Sequence, residues 1–362
     1  MSAPSPTVLF VPVSGSGGSG EYYRCLAIAR ALTGLCPDAL VHFVVSHEAR
    51  LERDPAFQYH ELPDSPTRAV HETVEHIRGL SPDLVFFDSA GRMAQFRAAR
   101  ESGARVVWLS DRPNKRRKAF RLRMMPTLDL HLMAAPGEAE PRLGPWHRLK
   151  LRLFPHLATR FFSGIAPSVD SARRRELCEE LGLPQEDYVV LAPGGGGYHY
   201  RGRPVPEIML GAAAKVSEAT GLACVMVMGP QYQGEVNDHE DHERVRVVSS
   251  LPTQDLTQLL HGARLAVIGA GSMMTAQTLS IGVPAVMVPA GGDDQPPRIA
   301  EFSRRGLASA AEMDEQAIAD AAIALAQDES RRHAQQTAVR DAGMRNDVDE
   351  VAKDLLVLLR QR

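Results

Sequence analysis

The chemistry-bearing residues of this 362-residue chain are concentrated between Arg264 and Arg305, RLAVIGAGSMMTAQTLSIGVPAVMVPAGGDDQPPRIAEFSRR. An apolar run, Leu265–Ile268, meets a turn of small residues, Gly269-Ala270-Gly271-Ser272, and then a helical stretch that ends at Gly282. A helix N-terminus behind such a turn presents unpaired backbone N–H groups, here around Gly271, Ser272 and Met273, and these suit a phosphate. Ser272 either caps that helix or bonds a phosphate oxygen. Gln277 lies where the same helix turns its side chain toward the crevice. A second apolar run, Pro284–Val288, leads to Asp294-Gln295 at the mouth of another helix. A carboxylate and an amide there can hold hydroxyl groups, although Asp294 before Pro296-Pro297 also fits a plain N-cap. Diphosphate on one loop and sugar on the next is the layout of a nucleotide-sugar site.

Other stretches carry weaker signals. VSGSGGSGEYYRCLAIARAL places Gly15, Gly17 and Gly20 in a G-x-G-x-x-G spacing between a strand and a helix, which taken literally proposes a dinucleotide fold. The acidic residue expected after the next strand is absent, since that strand ends Val45-Ser46-His47. The loop, with Gly17 and Gly18 at its centre, reads better as backbone that lets a substrate approach closely. Glu21 opens the following helix, where the dipole favours its ionised form and suits it to accept a proton. Pro193-Gly194-Gly195-Gly196-Gly197 marks either close approach to a ligand or a hinge. Asp88 and Asp111 each end a strand run, at the edge where α/β sheets bind ligands, and each is a candidate acid or base or else a plain helix cap. The block Arg112–Arg123 carries seven basic residues, near Trp146, Phe154, Phe161 and Phe162. A solvated face is its ordinary meaning; docking to an anionic acceptor or a membrane surface is the functional one.

Short β-branched runs alternate with helical patterns, which argues for parallel α/β architecture in two halves. Strand candidates are Val8–Val13, Val41–Val45, Leu84–Phe87 and Val106–Leu109, then Tyr188–Leu191, Ala223–Met228, Val245–Val248, Leu265–Ile268 and Ala285–Val288. Arg112–Val169 breaks the rhythm and reads as an elaborated edge followed by a linker. A composition of 44% hydrophobic and 23% charged residues with net charge −3 gives no pull toward nucleic acid. The four cysteines lack C-x-x-C spacing and read as reduced thiols of a cytoplasmic protein. The N-terminus shows no basic segment, and Val8–Val13 is too short for a secretory signal.

On these residues the chain resembles the GT-B glycosyltransferases, in the branch of the MurG-type N-acetylglucosaminyltransferases and the PseG-type UDP-sugar hydrolases. Arg264–Leu307 is similar to the family's "SGxxTxxE…G.P…DxQ…NA" region, and GSGEYYRCLAIA to the "GxGHxxRCLxLA" of the hydrolases. The resemblance implies two Rossmann-like domains with parallel sheets facing a central cleft: residues 1–168 for the acceptor, 169–345 for the donor, and a C-terminal helix, 346–362, packing back on the first. It implies metal-independent, inverting transfer of a sugar from a nucleotide-diphosphate sugar, UDP-linked in most of the family, to an acceptor hydroxyl. Gly195, Gly196, Gly271, Ser272 and Met273 would face the diphosphate, Asp294 and Gln295 the sugar, and Leu251 the nucleobase through its backbone. Glu21, or second Asp111, would be the base, and no cofactor beyond the nucleotide sugar is implied. The acceptor is left open among a lipid-linked sugar, a polysaccharide and a small molecule, with peripheral contact at the inner face of the membrane through Arg112–Arg123. Three departures are visible: Glu21 stands where the hydrolases and many transferases have His, Gln277 where they have an acidic ribose ligand, and Ile299 where they have Asn.

Overall fold

The computed structural model describes residues 5–13, 20–49, 51–234 and 244–361. The chain divides into two compact units, residues 1–165 with 347–362, and residues 166–346.

Unit 1 begins β1 (Thr7–Pro12), α1 (Gly20–Leu35), β2 (Leu40–Ser46), β3 (Gln58–Leu62), α2 (Val70–Leu80) and β4 (Leu84–Asp88). It continues α3 (Met93–Glu101), β5 (Arg105–Ser110), α4 (Pro113–Ala119), β6 (Leu130–Ala134), α5 (Pro145–Leu153) and β7 (Ala158–Phe162). Among the described residues these strands form one seven-stranded sheet in the order β3-β2-β1-β4-β5-β6-β7, every pairing parallel. Strands buried on both faces read as continuous apolar runs. In β1, Val8 and Phe10 join one core with Cys25, Ile28 and Leu32 of α1, while Leu9 and Val11 join the other with Ile77 and Phe96. The last helix of the chain, numbered α13 below (Val348–Arg360), belongs to this unit and buries Val351, Leu355 and Leu359 in the α1 core. Asp347 anchors its start by accepting the Ser163 N–H at 2.7 Å, and Arg160 of β7 donates to Asp354 within it at 2.7 Å.

Within Arg112–Val169, read as an elaborated edge and a linker, β6 and β7 form one edge of the sheet. Neither strand carries a β-branched run, and neither does β3 at the opposite edge. In β6 the interruption is His131, fully buried with Nε2 2.8 Å from the Ser110 hydroxyl; burial pushes its pKa down to about 3 and keeps the ring neutral. In β7 it is Arg160, tolerated because the strand is at the sheet edge and α13 supplies a carboxylate.

Unit 2 runs α6 (Ser171–Glu180), β8 (Tyr188–Ala192), the hairpin β9 (His199–Tyr200) and β10 (Arg203–Pro204), α7 (Val205–Thr220), β11 (Cys224–Val227) and β12 (Val245–Val248). It then runs α8 (Thr253–Gly262), β13 (Ala263–Gly269), α9 (Ser272–Ser280), β14 (Ala285–Val288), α10 (Gln295–Arg304) and β15 (Ser309–Ala310). Two helices, α11 (Glu315–Gln327) and α12 (Glu329–Asp341), close it before α13. Among the described residues its main sheet has six parallel strands, ordered β12-β11-β8-β13-β14-β15. The four cysteines are free, three of them buried. Among the described residues no helix is long and apolar enough to cross a membrane.

Candidate functional site

In an open parallel sheet, ligands bind beyond the carboxyl ends of the strands where the strand order reverses. In unit 2 the chain leaves β8 toward β11 and β12, then returns to lay β13 on the other side of β8, so that point lies between β8 and β13. The loops that meet there are Pro193–Gly197 and Ala270-Gly271. They approach so closely that a Cβ on Gly269 would stand 2.2 Å from the Pro193 carbonyl oxygen. The glycine run also has a cause in packing. Gly196, at φ +80°, is buried, and a Cβ there would meet the Met228 carbonyl at 2.2 Å. The run therefore lets the β8 and β11 loops pack backbone against backbone. Gly195 and Gly197 remain exposed.

Gly271, not Ser272, occupies the N-cap of α9, and no side chain caps that helix. Ser272 is exposed in the first turn, and a Cβ on Gly271 would meet nothing within 4 Å. The space beside the Gly271 Cα is thus open, and the dipole of α9 favours an anion at this end of the helix. Met273 is half-buried beside them. Leu251, in the loop after β12, is half-buried against the core of the unit. Gln277 does not turn into the crevice. It is 2% exposed, and its Nε2 donates to Thr257 Oγ1 at 2.6 Å and to the Thr253 carbonyl at 3.4 Å. The amide joins α9 to α8, so a ribose contact from this side chain is not available in this structure.

The β14–α10 loop runs Gly291 (φ +130°), Gly292 (φ +84°), Asp293, Asp294. Gly291 is required by the Tyr198 ring, whose carbons would lie 2.3 Å from any Cβ there. Asp294 sits at the N-cap of α10, yet its side chain does not cap. Its exposed carboxylate is instead held by Arg298 at 2.7 Å. Gln295 is buried, and among the described residues its Oε1 has no hydrogen-bond partner. A buried acceptor left unmatched is costly. The sequence reading missed Arg298, although its i,i+4 spacing from Asp294 is a visible signal.

In unit 1 the strand order reverses between β1 and β4. Asp88, the last residue of β4, is fully buried and takes two bonds from Arg24 of α1, Nε to Oδ2 and Nη2 to Oδ1, both 2.7 Å. Burial pushes Asp88 up to about 6, the Arg24 guanidinium pulling the other way without fully offsetting it. Buried and paired, Asp88 is corrected from candidate acid or base to a structural anchor. Cys25 lies 3.8 Å from the same carboxylate, and burial pushes its thiol well up, so it is inert. Ser89 follows at φ +55°, a strained conformation for a residue with a Cβ. The strain aims its hydroxyl at Asp111, to which it donates at 2.8 Å. Burial raises the Asp111 carboxyl, but Arg24, Ser89, Lys115 and Arg112 outweigh it and hold the pKa below its ordinary value. Such a carboxylate stays ionised and holds a proton weakly. Glu21 is half-buried in the first turn of α1, within electrostatic reach of the Arg24–Asp88 pair. Gly17 and Gly18 lie outside the described residues.

Of the seven basic residues in the block, Lys115 is half-buried with its ammonium 3.8 Å from the Asp111 carboxylate. Arg116 and Lys118 are spent internally, on the Ala134 and Gly91 carbonyls and over the Phe161 and Trp108 rings. Arg112, Arg117, Arg121 and Arg123 are exposed, as is Leu122. Nearby in sequence, α5 buries none of its residues and exposes Trp146 (74%), Leu149 and Leu153 (68%), one face at i, i+3, i+7 spacing, beside Arg148 and Arg152.

No protein-family model matches the chain. It is similar to the UDP-N-acetylglucosamine–N-acetylmuramyl-(pentapeptide) pyrophosphoryl-undecaprenol N-acetylglucosamine transferase of Symbiobacterium thermophilum, 25% identical over 299 residues, covering 76% of this chain and 75% of that protein. The transferase of the same name from Desulforudis audaxviator is 24% identical over 330 residues, covering 82% and 84%. Among solved structures, the calicheamicin glycosyltransferase CalG4 matches with TM-score 0.60 at 16% identity over 99% of both chains. The spinosyn forosaminyltransferase SpnP matches with TM-score 0.60 at 18% identity over 99% of this chain and 100% of that one. Two parallel-sheet α/β units with this likeness constitute the GT-B fold.

Proposed function

We propose that this chain is a GT-B glycosyltransferase that moves a sugar from a nucleotide-diphosphate sugar, UDP-linked, to an acceptor hydroxyl with inversion at the anomeric carbon. One observation carries the reading. At the switch point of unit 2 the uncapped N-terminus of α9 stands ready for an anion, and the next loop along the sheet offers Asp294 and the unmatched Gln295 acceptor. The curated relatives, whose names state UDP-N-acetylglucosamine, point to the same donor class. In the proposed step Glu21 takes the proton of the acceptor hydroxyl as its oxygen attacks the anomeric carbon. The bond to the diphosphate oxygen breaks, and its electron pair leaves with UDP. Charge growing on the leaving group is met by the first N–H groups of α9, placed before reaction and therefore effective.

Ligand binding to the folded state raises the melting temperature with ligand concentration. UDP and UDP-N-acetylglucosamine are expected to raise it, and NAD and NADP to leave it unchanged. A rise with the dinucleotides alone would return the Gly15–Gly20 spacing to first place and overturn the donor site.

The proposed acceptor is lipid-linked, and the proposed dock is the exposed apolar face of α5 with its basic surroundings. Trp prefers the membrane interface, and each basic residue near an anionic surface contributes about 1 kcal/mol. Trp146→Glu with Leu153→Glu is expected to abolish cosedimentation with vesicles of mixed neutral and anionic phospholipid. Cosedimentation equal to that of the unmodified chain would remove α5 as the dock.

A further inference from the structure

Arg298 lies one turn into α10 and reaches two loops at once. One amino group of its guanidinium donates to Asp294 Oδ2 at 2.7 Å, and the other donates to the Ala270 carbonyl, the last acceptor before the Gly271-Ser272 turn. The side chain is largely buried, at 21% exposure, whereas the Asp294 carboxylate it holds is 68% exposed. Ala270 is itself pinned to the sheet, its N–H donating to the Val288 carbonyl at 2.9 Å. The planar fork of an arginine can hold two acceptors in fixed relation; the point charge of a lysine cannot. An exposed carboxylate otherwise samples several rotamers, and fixing it before a ligand arrives removes an ordering cost from binding.

We infer that Arg298 is a positioning residue that locks the sugar-holding carboxylate of Asp294 to the phosphate turn, so that unit 2 reads diphosphate and sugar as one rigid object and favours a sugar-bearing nucleotide over the bare nucleotide. The inference rests on the donor site proposed above. It assigns Arg298 no contact with the donor: the residue acts through Asp294.

The test is the ratio of two affinities, for UDP-N-acetylglucosamine and for UDP, measured by calorimetry on the unmodified chain, Arg298→Ala, Arg298→Lys, Asp294→Ala and the Arg298→Ala/Asp294→Ala double variant. Losing a hydrogen bond to a charged group predicts about a 10-fold or greater loss of UDP-N-acetylglucosamine affinity in Arg298→Ala, with UDP affinity held within about threefold. Lysine is expected not to restore the ratio, and the double variant to bind the nucleotide sugar no more weakly than either single one. Equal losses for both ligands, additive losses in the double variant, or full rescue by lysine would each overturn the inference while leaving the donor site intact. If the unmodified chain binds neither ligand, the donor site and the inference fall together.

Discussion

Replacing Glu21 with Gln is expected to lower the rate of sugar transfer by about 10²- to 10⁴-fold, the usual contribution of a positioned general base. The substitution keeps the shape and most of the hydrogen-bonding capacity of the side chain but removes its ability to take a proton. UDP affinity should stay within about threefold, because donor binding is assigned to unit 2 and general-base catalysis acts on the chemical step. The comparison variant is Asp111→Asn. Asp111 is held below its ordinary pKa by the positive charges and the Ser89 hydroxyl around it, so its loss should cost far less than that of Glu21. Turnover unchanged in Glu21→Gln, or a larger loss in Asp111→Asn, would move the base away from Glu21.

Arg24→Ala is expected to destabilise the chain by about 3–5 kcal/mol, the cost of leaving one member of a buried ion pair without its partner. The pair qualifies, with side-chain exposures of 12% for Arg24 and 0% for Asp88. Urea unfolding monitored by a probe in unit 1 measures the loss as a fall in the midpoint at constant slope. A double replacement, Arg24→Met with Asp88→Leu, is expected to recover much of that stability, since apolar groups of similar volume remove both desolvation costs together. A cost below about 1 kcal/mol for Arg24→Ala would place the pair among ordinary surface contacts instead.

The same pair fixes a sign for pH. Asp88 has a folded-state pKa near 6, above the value of about 3.9 for an unfolded Asp. As pH falls through that window the folded chain therefore takes up the proton first, and the contribution of this group to stability increases rather than decreases. The difference in stability between the unmodified chain and Asp88→Asn, followed from pH 7 to pH 4, isolates that contribution.

Much of the fold was legible because parallel strands buried on both faces leave continuous apolar runs, and the turns between them carry glycine. β1, β4, β8, β13 and β14 all stood out in this way. β6 and β7 did not, because His131 and Arg160 interrupt the apolar pattern. Those interruptions make sense only with Ser110 and Asp354 in place, partners 21 and 194 residues away in sequence. In the site, the positions of Gly271, Ser272, Asp294 and Gln295 at helix starts followed from local sequence alone. Side-chain direction did not. Gln277 faces α8 rather than the crevice because Thr257 offers its amide a buried partner, and the glycine run answers to the backbone of the β11 loop. Arg298 escaped notice because its role depends on a carbonyl 28 residues earlier.

The most direct measurement of the central claim is turnover of UDP-N-acetylglucosamine by the purified chain, with UDP and free sugar quantified separately, in the presence and absence of a panel of lipid-linked hydroxyl acceptors. UDP release is expected to depend on acceptor, with the sugar recovered on the acceptor and little set free. Stoichiometric release of free sugar without acceptor would make the chain a nucleotide-sugar hydrolase. Tight UDP-sugar binding with no turnover on any acceptor would make it a binding protein on a GT-B scaffold, and either result would contradict glycosyl transfer.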